Sequence, residues 1–357
     1  MHRFGVISNP YTRHCRKYPS TNDELRSLIG SKGLFRVTQS TSEIASVLKE
    51  FKTHKVTCVG IVGGDGSINL VLAELLKLYP EESLPNILVL GGGTANVLAI
   101  NLGLPSKPLK VMSDFLNVNS QSPDALKITT IPSLRINNRI GFLFANGMAA
   151  KFLQLFYKKK GSVRDAGMLL AKTALHAATP KFISQNNKSK ASHVMDPSPM
   201  SISGTHEITA WSKKHPDVTT IFVSTLKNMA LSIPVFLKLD GNHAEFFATS
   251  AQNKQLTSHL ARIVLRRPVS HANVVQCLVI KVKIDTVAGE PYTIDGELFD
   301  APKEGVIIEV GPKFRFLSTT REARDPENKV HHRRNWLERF GAGRVRGRLG
   351  SLSRRVV

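Results

Sequence analysis

The stretch GIVGGDGSINLVLAELL, Gly60 to Leu76, constrains the fold more than any other part of this chain. An apolar run ends in Gly63-Gly64, meets a carboxylate at Asp65 and passes through Gly66-Ser67 straight into an amphipathic helical pattern. A strand, a tight turn and a helix in that order make half of a parallel β-α-β unit, and the same texture continues on both sides. RFGVISNPY reads as a strand broken at Asn9-Pro10, followed by a loop up to LFRVTQST, a second strand. SEIASVLKEFKTH carries Ile44, Val47, Leu48 and Phe51 at helical spacing, with Ser42 as its N-cap. VTCVGIVGG, SINLVLAELLKLY, NILVLGGG and ANVLAINLGL continue the alternation. Residues 1–122 are therefore expected to form an α/β domain with a parallel sheet.

Downstream the texture changes. ALKITTIP, SLRINNRIGFLFANG, HEITAWS, TTIFVSTLK, AEFFATS, VVQCLVIKVKIDTV, PYTIDGE and GVIIEVGPKFRFL are rich in Val, Ile, Thr and Phe and are separated by turn signals. That pattern predicts a mainly antiparallel β-sandwich domain over residues 123–318, whose final strand could return to the first domain. A helical insertion at about 146–183 and a polar loop at 184–200 interrupt it, and 319–357 reads as a basic tail with a short helix around Asn335 to Phe340. A chain of 357 residues can bury two such cores.

No run reaches the roughly 18 apolar residues of a spanning helix, and the N-terminus lacks a signal-peptide core, so a cytoplasmic location is expected. Cys15, Cys58 and Cys277 are odd in number and far apart, which argues for free thiols over disulfides or zinc, with Cys58 in the core. The histidines show no metal-ligand spacing. The formal charge of +22 favours polyanionic partners, and eleven Lys and Arg against four acids in residues 321–357 place part of that surplus in the tail. No aromatic-interleaved basic module accompanies it, so nucleic acid is not the expected partner.

Glycines between a strand end and a helix start leave backbone N–H groups and the positive end of a helix dipole free for phosphate. The loop is neither a Walker A sequence nor a dinucleotide fingerprint, because an acid sits inside it. Beside phosphate, Asp65 calls for a cation or a transferable proton; the bland alternative is a tight turn with Asp65 as a helix cap. Gly91-Gly92-Gly93, followed by Thr94 and Asn96, repeats the arrangement at a second strand end, and Asp295-Gly296-Glu297 forms a third piece that alone would pass for a hairpin turn.

Together, Gly63 to Ser67, Gly93-Thr94-Ala95-Asn96-Val97-Leu98-Ala99 and Asp295-Gly296-Glu297, with Asn9-Pro10 and Thr38, resemble the diacylglycerol kinase catalytic family, which includes bacterial lipid kinases and sphingosine kinases. The resemblance covers about residues 3–317. It implies an α/β domain holding ATP and Mg²⁺, a β domain holding a lipid, and transfer of the γ-phosphate in the cleft. It places Asn9, Thr38, Gly63, Gly64, Asp65, Gly66, Ser67, Gly93, Thr94 and Asn96 around the nucleotide, with Asp65 and Glu297 catalytic and Glu297 the proton acceptor. It offers Asp240 for a second, regulatory metal, although Leu237 stands where a polar ligand would help.

The chain departs from that pattern after Asn9-Pro10, where YTRHCRK replaces a glycine that would approach phosphate, so the contact shifts to Arg13 or Lys17. Ser67 stands for the usual threonine and Leu70 for a frequent acid. The readings weighed beside a lipid kinase are a related NAD kinase and a non-catalytic lipid- or nucleotide-binding protein; a homodimer is left open. A lipid acceptor implies peripheral docking on an anionic membrane, for which Trp336, Leu337 and Phe340 among tail arginines are the expected anchor.

Overall fold

The computed structural model describes residues 2–105, 107–158, 194, 196–229, 235–252, 255–256, 258–259, 262 and 269–319. The first domain carries strands β1 (Phe4–Ser8), β2 (Leu34–Val37), β3 (Cys58–Val62) and β4 (Asn86–Val89), parallel and in the order β2-β1-β3-β4. Around them lie α1 (Arg13–Lys17), α2 (Thr21–Ile29), α3 (Ser42–Thr53), α4 (Asp65–Leu78), α5 (Val97–Asn101) and α6 (Pro108–Gln121). β1 and β3 are buried along their whole length, as expected for strands covered on both faces. Cys58 is fully buried and all three cysteines are free.

Two readings of this domain need correction. The segment after Pro10 is not a loop but holds α1 and α2, because Thr21, Leu25 and Ile29 fall one turn apart and bury one face of α2. Ser42 is the first residue of α3 and Thr41 precedes it as the cap. Gln39 N–H donates to Glu43 Oε2 at 2.9 Å, so the first turn is secured from upstream.

The second domain contributes β5 (Lys127–Ile136), β6 (Arg139–Gly141), β7 (Leu143–Gly147), α7 (Met148–Lys158), β8 (Ser198–Ser203), α8 (His206–Lys214), β9 (Asp217–Val218), β10 (Thr220–Ser224), β11 (Ala244–Thr249), β12 (Val274–Val279), β13 (Lys281–Thr286), β14 (Pro291–Ile294), β15 (Glu297–Asp300) and β16 (Val306–Ser318). HEITAWS is thus a helix rather than a strand. The Thr205 side chain caps it by accepting from Ile208 N–H, and Ile208, Trp211 and Ser212 form its buried stripe, which outweighs the β-branched composition. Of the insertion expected at 146–183, α7 is described; the remainder, most of the 184–200 loop and the tail from Thr320 with its expected helix lie outside the described residues, and the end of that loop is instead the start of β8 at Ser198.

Among the described residues the strands form two sheets. Six of them pair antiparallel in the order β12-β11-β10-β7-β14-β15. The other sheet runs through both domains, because the 13-residue β16 pairs antiparallel with β13 and β5 and then parallel with β4 through Phe316 and Ile87. Phe314, Phe316 and Leu317 are fully buried in the core of the first domain. Each buried Phe stabilises by roughly 2–3 kcal/mol, so the last strand is a structural part of the first domain. A second tie is polar: Asn101 at the end of α5 donates to Asn228 O and accepts from Asn228 N–H, both at 2.9 Å.

Candidate active site

The direction of strand succession reverses between β1 and β3, and in open parallel sheets ligands bind outside the carboxyl ends of strands at such a point. The loops leaving β1, β3 and β4 meet there. Gly92 N–H donates to Gly63 O at 2.8 Å, and a Cβ on Gly93 would lie 2.5 Å from the Gly64 Cα. Two backbones that close admit only glycine on both sides, which explains both runs without any ligand.

Asn9 joins this cluster. Its N–H donates to Val62 O and its Nδ2 to Ser67 Oγ, both at 3.0 Å. Asn96, in the left-handed region at φ 48°, turns back on its own loop: Gly93 N–H donates to its Oδ1 at 2.9 Å and its Nδ2 donates to Gly93 O at 3.1 Å. Thr94 stands exposed between them. Thr38 lies at the end of β2, buried, with its N–H donating to Ser8 O at 2.9 Å, so its contacts run to β1 and not to the glycine loops. Where the missing glycine would have been, His14 N–H donates to Gly92 O at 3.1 Å and Thr12 caps α1. Lys17 Nζ lies 5.1 Å from the centre of the Tyr18 ring.

Asp65 is buried, and it caps a helix other than its own. Its Oδ2 accepts from Val97 N–H at 3.1 Å and its Oδ1 from Leu98 N–H at 3.2 Å, pinning the start of α5. Burial pushes its pKa up, and these N–H groups oppose the shift. The N-terminus of α4 itself, with Gly64 at the cap position, has no side-chain cap. The first-turn N–H groups of a helix without such a cap are oriented for an anion.

The Asp-Gly hairpin between β14 and β15 closes the other side. Asp295 at φ 49° and Gly296 at φ 92° make a two-residue turn of the kind that Asp-Gly favours, with Ile294 paired to Glu297. The turn sends Asp295 inward and Glu297 outward. Asp295 accepts from Phe142 N–H at 2.9 Å, Leu143 N–H at 2.8 Å and Asn69 Nδ2 at 2.8 Å, the last reaching across from α4. Glu297 is exposed and rests on the first turn of α4: a Cβ on Gly66 would fall 1.8 Å from its Oε1. Asp65 and Asp295 share a closed crevice with Ile68, Asn69, Leu98 and Phe142, too narrow for a water molecule.

Burial, with the charge of Asp65 behind it, drives the Asp295 pKa up to about 7, against the pull of Asn69 and the two backbone donors. The folded value lies above the ordinary 3.8, so the contribution is fully present below about pH 4 and is lost as pH rises through 7. The expected loss is on the order of 4 kcal/mol at most. It is read as the unfolding free energy of the wild type relative to Asp295→Asn, which cannot titrate. The wild type should lose ground between pH 4 and 8, and a constant offset would show that Asp295 ionises normally.

Sequence reasoning treated Asp295 as part of a turn and missed Asn69, Thr12 and Tyr157, whose hydroxyl donates to Gly296 O at 2.7 Å. The one available signal was the helical i, i+4 spacing of Asp65 and Asn69. Asp240 stands apart: its carboxylate accepts from Asn242 and His243 N–H, both at 2.9 Å, and lies 2.6 Å from His243 Nδ1. The hydrogen bond from Asn242 N–H first, then those from His243, lower its pKa to about 2. Among the described residues no group of three His, Cys, Asp or Glu side chains is gathered for a metal, so the structure assembles no ligand set around Asp240.

A parallel α/β domain joined through β16 to an antiparallel domain, with two touching glycine loops facing a hairpin carboxylate, is the architecture to set beside known proteins. Residues 3–128 match the family model of the diacylglycerol kinase catalytic domain. A probable lipid kinase YegS-like protein of Stenotrophomonas maltophilia (strain K279a) is 30% identical over 118 residues, which span 31% of this chain and 37% of that protein. The fold extends further than the sequence match. A diacylglycerol kinase from Bacillus anthracis str. Sterne superposes with a TM-score of 0.56 at 13% identity, covering 91% of this chain and 98% of that one. A putative diacylglycerol kinase from the same organism gives 0.61 at 15% identity, with 92% and 98% covered. The resemblance to the diacylglycerol kinase catalytic family is borne out in sequence over residues 3–128, and beyond them the solved structures share the fold.

Proposed function

We propose that the chain is an ATP-dependent lipid kinase, transferring the γ-phosphate to a lipid hydroxyl such as that of diacylglycerol or a sphingoid base. The observation that carries this reading is Glu297 lying against Gly66 at the N-terminus of α4, 231 residues away in sequence. Phosphate bound to the N–H groups of that turn would stand beside a carboxylate exposed to solvent. Glu297 would take the proton of the acceptor hydroxyl as its oxygen forms the new bond to phosphorus and the bond to the leaving ADP oxygen breaks.

The glycine cradle at the N-terminus of α4 suits a nucleotide triphosphate, because Gly64 at the cap position leaves the first-turn N–H groups without a side-chain partner. Mg²⁺ fits as an ion carried on the phosphates themselves, because it keeps several waters and needs few protein ligands. Bound there, it would neutralise charge on the phosphates. Asn9, Ser67 and Thr94 supply polar groups beside the cradle, and Asp65 holds the second glycine loop against the first. The metal site at Asp240 is not part of this reading.

A lipid is favoured over NAD by the six-stranded sheet, which is apolar on both faces. Phe144, Ile221, Val223 and Phe246 pack on one face, whereas Leu143, Ala145, Phe222 and Phe247 form a separate cluster with Phe236 on the other. β7 of that sheet is hydrogen-bonded to β14, which carries the hairpin to Glu297. No helix among the described residues is long and apolar enough to cross a membrane. Peripheral docking, with the basic residues 321–357 against anionic lipid, completes the proposal.

The test is a panel of acceptors with labelled ATP: diacylglycerol, monoacylglycerol, a sphingoid base, ceramide and NAD. Label in one or more lipids, and a smaller effect of deleting 321–357 on a short-chain soluble lipid than on anionic vesicles, is the expected result. Label in NAD alone would assign the rival activity.

A further inference from the structure

We infer that Tyr157 is a positioning residue for Glu297, acting through the peptide group from which that side chain springs. The inference rests on the lipid kinase reading and names a residue that reading does not require. Among the described residues no side chain or N–H group donates to the Glu297 carboxylate, and no cation pairs with it. Its place is therefore set by the backbone at the Asp295-Gly296 turn. Asp295 is anchored through its carboxylate, but the Gly296 end of the turn stands clear: a Cβ on Gly296 would meet nothing within 4 Å. On one side the pairing of Ile294 with Glu297 fixes the strand ends. On the other, the Tyr157 hydroxyl donates to Gly296 O at 2.7 Å, and this carbonyl belongs to the same peptide plane as Glu297 N.

The tyrosine is delivered by a rigid route. α7 starts directly after Gly147, whose φ of 70° and approach to Thr219 O leave no room for a Cβ, which would lie 2.5 Å from that oxygen. Met148 N–H donates to the same Thr219 O at 2.8 Å, anchoring the first turn of α7. The helix then runs along β7, β14 and β15, so that its last turn arrives over the hairpin. Burial first, then the charges of Glu297 and Asp65, raise the Tyr157 pKa, so the phenol remains a neutral donor throughout the working range. A neutral hydroxyl committed to a carbonyl orients the turn without consuming the proton-accepting capacity of Glu297.

The experiment is Tyr157→Phe, which keeps the ring and removes the hydroxyl. With a short-chain diacylglycerol, kcat should fall about fivefold, the scale of one net hydrogen bond, while KM for MgATP stays unchanged. In a Glu297→Gln background the same substitution should cost nothing further, because the group it positions is already gone. An additive loss in that background, or full activity of the single variant, would overturn the inference. A wild type inactive on every lipid would instead overturn the kinase reading. The ¹³C resonance of the Glu297 carboxyl in the full chain then still decides the matter: it should shift in Tyr157→Phe, and an unchanged carboxyl signal would refute the positioning role.

Discussion

Glu297→Gln is expected to abolish nearly all phosphoryl transfer while leaving nucleotide affinity and thermal midpoint close to those of the wild type. The amide has the shape of the carboxylate but cannot take the acceptor proton, and loss of a general base typically costs about 10²–10⁴-fold in rate. The side chain is exposed and makes no hydrogen bond among the described residues, so its replacement should not disturb the fold. Measuring kcat, nucleotide affinity and thermal midpoint side by side separates these quantities. A variant that keeps more than half the wild-type rate would move the base elsewhere, to Asp65 in the same cleft.

Gly66→Ala should be nearly as damaging, for a steric reason that leaves the protein intact. The new methyl would fall 1.8 Å from Glu297 Oε1, and the carboxylate, at the free end of a flexible side chain, would swing away. Alanine inside the first turn of α4 favours the helix by up to about 1 kcal/mol, so the thermal midpoint should hold or rise while turnover falls by about the same 10²–10⁴-fold. Gly93→Ala differs in kind, since its methyl would meet the Gly64 backbone at 2.5 Å and neither loop can yield without moving. In the double variant Gly66→Ala/Glu297→Gln the losses should not add, because both remove the same group. Wild-type turnover in Gly66→Ala would show that Glu297 does not work from the position beside this helix.

The parts of the site legible in the sequence are those written in contiguous residues. Gly63 to Ser67 and Gly91 to Asn96 each end an apolar strand and begin a helix, so their placement follows from local pattern. What the pattern could not convey is which glycines face each other and what the acid between them does. Asp65 turns to Val97 and Leu98, more than thirty residues on, and no local rule names a cap from another loop. Asp295 draws its donors from Asn69, Phe142 and Leu143, and the partners of such a buried carboxylate exist only after two domains have met. The missed helix at Thr21 and the strand misread at His206 share a cause. Short helices with Thr, Ser and Ile carry weak propensity, and burial of Leu25 and Ile29, or of Ile208 and Trp211, decides their state. The Asp240 turn shows the reverse limit, a short acidic motif that closes on its own backbone.

The central claim is that this cleft moves phosphate from a nucleotide to a lipid hydroxyl. It is tested most directly by incubating the full chain with Mg²⁺, a short-chain diacylglycerol and ATP labelled at either the γ or the α position, counting ADP and phosphorylated lipid together. The account predicts label in the lipid from the γ position alone, one ADP formed per lipid phosphate, and loss of both products in Glu297→Gln. ADP formed with free phosphate and no lipid phosphate, or no ADP with any lipid acceptor, would contradict it.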